Sequence, residues 1–141
     1  MSDQSKLPVE TPLAWLRYAE GDLRVAEREI QADPAAYHTV CFLCQGAAEK
    51  FLKAFLIGRG WGLEKTHDIA DLMGECAKYG ADFGALNREG RLLNEYISAG
   101  RYPGDTRENI DKADAEEAIE AARAIRDRVV ALMAQKEEPK E

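Results

Sequence analysis

No run of apolar residues in this 141-residue chain approaches the roughly 18 needed to cross a bilayer, so no membrane association is expected. No stretch alternates apolar and polar residues with period two, which leaves a sheet without a sequence signal. Cysteine is scarce. Cys41, Cys44 and Cys76 form an odd set in a chain long enough to bury roughly two thirds of its unfolded surface in one core, so disulfide staples are not needed and reduced thiols are expected. The opening MSDQSKLPVE lacks a basic segment followed by an apolar stretch, which predicts a cytoplasmic protein. Basic charge is not in excess either. The net charge of −7 excludes a general nucleic-acid coat, because phosphate binding depends on clustered Lys and Arg releasing counterions. Phosphate-binding loops, hydrolase elbows and metal-site motifs are also missing, so no cofactor is expected.

What the chain does contain is helical periodicity in a globular composition, 45% hydrophobic and 32% charged. Thr11-Pro12 is a capping hydroxyl followed by proline at the first helical position, where its missing N–H costs nothing. The helix it opens places Leu13, Leu16, Ala19, Leu23, Ala26 and Ile30 on one face, with Trp15, Tyr18, Asp22 and Val25 as a second stripe. Asp33-Pro34 repeats the start signal and Gly58 offers a C-terminal cap, which predicts a central helix from about Pro34 to Ile57. Apolar residues surround most of that helix, so it is expected to be buried by neighbours on several sides. Its polar strip is narrow: His38, Gln45, Glu49 and Lys53, with Lys50 at the edge. Thr66 or Asp68 caps a short third helix ending near Tyr79-Gly80. Phe83, Leu86, Leu93 and Ile97 mark a fourth, and Asp111 or Asp114 opens a last helix running to about Ala134. The fold expected is all-α, an antiparallel bundle of four main helices plus a short one. It would occupy residues 11–134, with a flexible N-terminus over 1–10 and a disordered tail over 135–141.

Few residues carry chemistry. Cys41 and Cys44 have metal-ligand spacing, but no second CxxC or histidine pair accompanies them, so core packing is the expectation and no metal site is assigned. His38, beside Tyr37, reads as a surface or packing histidine. Thr66-His67-Asp68 sets an imidazole between a hydroxyl and a carboxylate at a helix start. This is either a cap with an incidental histidine, or an anion site using the free amides of the third helix with His67 as donor or proton carrier. Arg101-Tyr102-Pro103-Gly104 reads as a turn, in which Arg101 could add a bidentate phosphate contact and Tyr102 a stacking ring. The segment Gly46–Arg107, which holds these residues, is neutral between acidic flanks.

Four blocks in order resemble the HEPN family of small helical domains. They are Trp15-Leu16 with Ala19, Asp22-Leu23 and Ala26; the run Cys41-Phe42-Leu43-Cys44-Gln45-Gly46-Ala47-Ala48-Glu49-Lys50-Phe51-Leu52-Lys53-Ala54; Thr66-His67-Asp68-Ile69 with Leu72; and Ala99-Gly100-Arg101-Tyr102-Pro103. The match spans roughly Pro12 to Leu132. The resemblance implies an α-helical bundle, commonly a homodimer, that binds nucleotide or RNA and pairs with a nucleotidyltransferase-type partner protein in a toxin–antitoxin-like module. Ribonuclease members carry an arginine four to six residues ahead of a histidine. Here Arg59 and His67 have seven residues between them, outside that window.

The leading expectation is therefore a binding module rather than an enzyme, with Lys50, Lys53, Thr66, His67, Asp68, Arg101 and Tyr102 as binding residues. The alternative is a metal-independent endoribonuclease in which His67 and Arg101 meet as acid/base and phosphate clamp. A structural dimerisation domain is the third reading.

Overall fold

The computed structural model describes residues 11–99, 102–103 and 109–135. The flexible N-terminus expected over 1–10, and all but the first residue of the disordered tail expected over 135–141, lie outside the described residues. Five α-helices make up the fold: α1 (Pro12–Glu29), α2 (Tyr37–Gly58), α3 (Ile69–Lys78), α4 (Asn87–Asn94) and α5 (Lys112–Ala134). There is no strand among the described residues. The all-α expectation holds.

Local chemistry sets most of the helix ends. Thr11 Oγ1 accepts the Ala14 N–H at 3.3 Å with Pro12 at the first position. Asp68 caps α3 through the Asp71 N–H at 3.0 Å. At α5 the two candidate caps act together, since Asp111 accepts the Asp114 N–H and Asp114 accepts the Asp111 N–H, both at 3.0 Å, in a reciprocal capping box. α2 and α3 both end in a left-handed glycine, Gly60 (φ 92°) and Gly80 (φ 90°). In each, the glycine N–H and the next N–H turn back to helix carbonyls: Gly60 to Ile57 and Trp61 to Leu56, Gly80 to Ala77 and Ala81 to Cys76.

Three boundaries depart from the sequence reading. α2 begins at Tyr37 rather than Pro34, because the Ala36 N–H donates to Glu29 Oε2 at 2.8 Å and ties the entry of α2 to the end of α1. The capping glycine is Gly60 rather than Gly58, which is the last helical residue of α2. The fourth helix is an eight-residue α-helix flanked by 3-10 turns at Gly84–Leu86 and Glu95–Ile97.

α2 packs against α1, α3, α4 and α5, and twelve of its 22 residues are buried. That is the helix surrounded by neighbours that its apolar circumference implied. Phe51, Leu52, Phe55 and Leu56 fill the centre with Leu23, Ile69, Leu72, Leu93, Tyr96 and Ile125. Large aliphatic and aromatic side chains contribute about 1.5–3 kcal/mol each on full burial, so this cluster dominates the stability of the fold. α1 and α2 run antiparallel, as their contacts show. Asp22 reaches Lys50, while seven residues earlier the Trp15 ring lies under Lys53. The descending register places one polar strip of α2 beside α1 and the loop before α3.

Candidate functional site: a cavity beside the polar strip of the central helix

The polar strip of α2 keeps a helical spacing of four residues, so Gln45, Glu49 and Lys53 stand in one row. Glu49 is its hub. Lys53 Nζ lies 2.7 Å from Glu49 Oε2, the Gln45 amide lies 3.5 Å from Glu49 Oε1, and His67 Nδ1 lies 3.0 and 3.2 Å from the two carboxylate oxygens. The Gln45 amide also donates to the main-chain oxygen of His67 at 3.0 Å. Gln45 and Lys53 are both only 4% exposed, and Lys53 Nζ sits 5.6 Å from the centre of the Trp15 ring. By contrast, the His67 side chain is 64% exposed. A second ion pair joins α2 to α1, Lys50 Nζ to Asp22 Oδ2 at 2.7 Å. Gly46 makes room for it, as a Cβ there would lie 3.2 Å from the Asp22 carboxylate and 3.4 Å from Lys50 Nζ.

These groups border a cavity of about 540 Å³. Its apolar wall comes from Trp15, Phe42, Leu43, Leu63 and Ile97, and its polar wall from the Glu49 network, the Asp22–Lys50 pair, Glu64 and Lys65. The volume falls in the range of sites that take small organic ligands. Three carboxylates face three ammonium groups here, so with neutral His67 the wall has no net charge.

The residues expected from the sequence divide into three sets. Lys50, Lys53 and His67 line the cavity, although both lysines are ion-paired with carboxylates of the same wall. Thr66 and Asp68 shape the backbone: Thr66 Oγ1 accepts the Asp68 N–H at 3.2 Å, and Asp68 Oδ1 takes both the Asp71 N–H and the Asn94 amide. The Ile69 N–H donates to Asn94 Oδ1 at 2.7 Å, so two of the α3 amides offered to an anion already have internal acceptors. Arg101 lies outside the described residues, and the Tyr102 ring is largely exposed. His38 is exposed as expected.

Gln45 and Glu49 were expected on the polar strip of α2 but not as binding residues, and Trp15 was expected only on the second stripe of α1. The signal was present for all three: Gln45 and Glu49 are polar on a helix apolar almost all round, and Trp15 heads the second stripe of α1. Leu63, Glu64 and Lys65 carry no such signal, since a loop has no periodicity.

Cys41, Cys44 and Cys76 are all fully buried and unbridged. Burial pushes the Cys44 thiol far above its ordinary range and the Cys76 thiol up to about 12, so neither offers a thiolate for chemistry. No group of metal-ligating side chains occurs among the described residues. No described helix is long and apolar enough to cross a membrane.

A family model described as HEPN domain matches residues 13–136. The chain belongs to the HEPN domain family. Two solved structures agree with this HEPN fold. TT1696 from Thermus thermophilus is 28% identical with a TM-score of 0.76, covering 85% of this chain and 96% of its own. ST0689, described as an archaeal HEPN homologue, is 25% identical with a TM-score of 0.71, covering 87% of this chain and 98% of its own. Among curated proteins nothing matches.

Proposed function

We propose that this HEPN domain is a nucleotide- or RNA-binding module that works as a homodimer with a nucleotidyltransferase-type partner protein, in a toxin–antitoxin-like setting. Membership of the family supports a nucleotide- or RNA-related role. The observation that carries the reading in this chain is the cavity itself, where an aromatic and aliphatic wall faces an imidazole held by buried polar groups. A base fits the first kind of surface and a sugar-phosphate the second.

Binding here does not rest on a strong phosphate clamp. Lys50 and Lys53 are neutralised by Asp22 and Glu49, so of the three lysines on the wall Lys65 is left to meet a phosphate. Affinity for a single nucleotide is accordingly modest, and a longer strand or a partner subunit raises it. Calorimetry with ATP, other nucleotides and short RNA, alone and with the nucleotidyltransferase encoded nearest to it, tests the proposal. A ligand that binds the native state also raises the melting temperature. Silence with every ligand, in the presence and absence of the partner, refutes the reading.

A further inference from the structure

Three side chains of α2 are arranged around His67: Glu49 holds the ring, Gln45 its main chain, and Lys53 braces Glu49. Gln45 and Lys53 are almost fully buried and the Glu49 side chain is 12% exposed, yet the ring that Glu49 holds, that of His67, lies mostly in solvent. Burying an ionic pair gains little over apolar side chains of the same size, so stability alone does not account for this arrangement. What the network achieves is orientation. The Gln45 amide fixes the His67 main chain at 3.0 Å, Glu49 takes His67 Nδ1 at 3.0 Å, and Lys53 holds Glu49 from the other side at 2.7 Å.

The chemistry of the partner decides the state of the ring. An ionised carboxylate only accepts hydrogen bonds, so Nδ1 carries the hydrogen and, in the neutral ring, Nε2 is an acceptor. In that neutral form the mostly exposed ring on the wall of the cavity offers a lone pair, and its complement is a ligand hydroxyl. A phosphodiester has no hydrogen to give. A ribose has, and its 2′-hydroxyl is the group that separates it from deoxyribose.

We infer that Glu49 and His67 form a sugar-reading pair, in which His67 Nε2 accepts a hydrogen bond from a ribose 2′-hydroxyl and Glu49 is the positioning residue that holds the ring in that tautomer. The inference rests on the nucleotide- or RNA-binding reading above and deepens it. The ribose can belong to a free nucleotide or to a strand. The chemistry is the same in both.

The test is calorimetry near neutral pH with the four ribonucleoside monophosphates against their 2′-deoxy counterparts, and with a mixed-sequence octanucleotide as RNA and as DNA. The ribo form binds about three- to tenfold more tightly, the scale of one hydrogen bond. In His67→Ala, whose mostly exposed side chain makes misfolding a minor concern, the preference for the ribo form is lost. A preference seen with monophosphates assigns the free nucleotide, and one seen only with the octamer assigns the strand. Equal binding of both sugars, or a ribo preference that survives His67→Ala, overturns the inference while leaving the binding module intact. No binding of any of them overturns both.

The role of Glu49 has its own readout. Nitrogen-15 spectra of the wild-type imidazole show Nδ1 protonated, and Glu49→Gln gives a mixture of tautomers. A wild-type ring protonated at Nε2 overturns the pair even if Glu49→Gln fails to fold.

Discussion

Two ion pairs of equal length involve α2, one reaching across to α1 and one within the helix, and they do different work. Asp22–Lys50 and Glu49–Lys53 both close to 2.7 Å, but the side chains of the first are 26% and 29% exposed and those of the second 12% and 5%. The first joins two helices across a gap that Gly46 leaves open, and water reaches both ends. The second sets the Lys53 ammonium over the Trp15 ring and passes its constraint on to His67. Distance alone would rank the two as equivalent. Burial and the third partner separate them, because an unpaired charge is cheap in water and expensive in a protein interior.

Removing one member of the buried pair breaks the comparison most sharply. Glu49→Ala strands the Lys53 ammonium in the core and costs about 3–5 kcal/mol, read as a fall of roughly 10 °C or more in melting temperature. Replacing both members sharpens it. Glu49→Leu with Lys53→Met restores stability to within about 1 kcal/mol of wild type by chemical denaturation, since no charge is left unpaired, while His67 loses its anchor and ligand affinity does not recover. The half-buried pair responds weakly. Asp22→Ala costs about 0.2–1 kcal/mol, and 1 M salt erases that loss while leaving the Glu49→Ala loss in place. His67→Ala comes last, within about 0.5 kcal/mol of wild type, because the ring is held by the network without supporting it. A large destabilisation in His67→Ala contradicts the assignment of the histidine as the recipient of the constraint.

The parts of the fold legible in the sequence are those settled by residues a few positions apart. Thr11 with Pro12, and Asp111 with Asp114, fix the starts of α1 and α5 because capping is local chemistry. The start of α2 was not legible, since Asp33-Pro34 reads as an ordinary helix entry and only the Glu29 carboxylate on the Ala36 amide shifts the first turn. Gly58 and Gly60 compete for the same cap. The choice goes to Gly60, whose left-handed backbone folds the Trp61 N–H back onto the Leu56 carbonyl as Trp61 enters the core.

The candidate site follows the same rule. The row Gln45, Glu49, Lys53 is readable from helical spacing. The seat of Lys53 over the Trp15 ring and the commitment of Lys50 to Asp22 are not, because both depend on the register of α1 against α2. The contact of Asp68 with Asn94 spans 26 residues, and nothing in the local sequence announces it.

That last contact changes how the region beside the site can come apart. The first amide of a helix is usually the first to exchange with solvent, because the end of the helix frays. At α3 it is different: the Ile69 N–H is held by Asn94 at the end of α4, and the Asn94 amide in turn grips the Asp68 cap. Deuterium reaches the Ile69 amide only when α4 lets go, so its exchange follows the opening of two helices as one unit rather than the fraying of one.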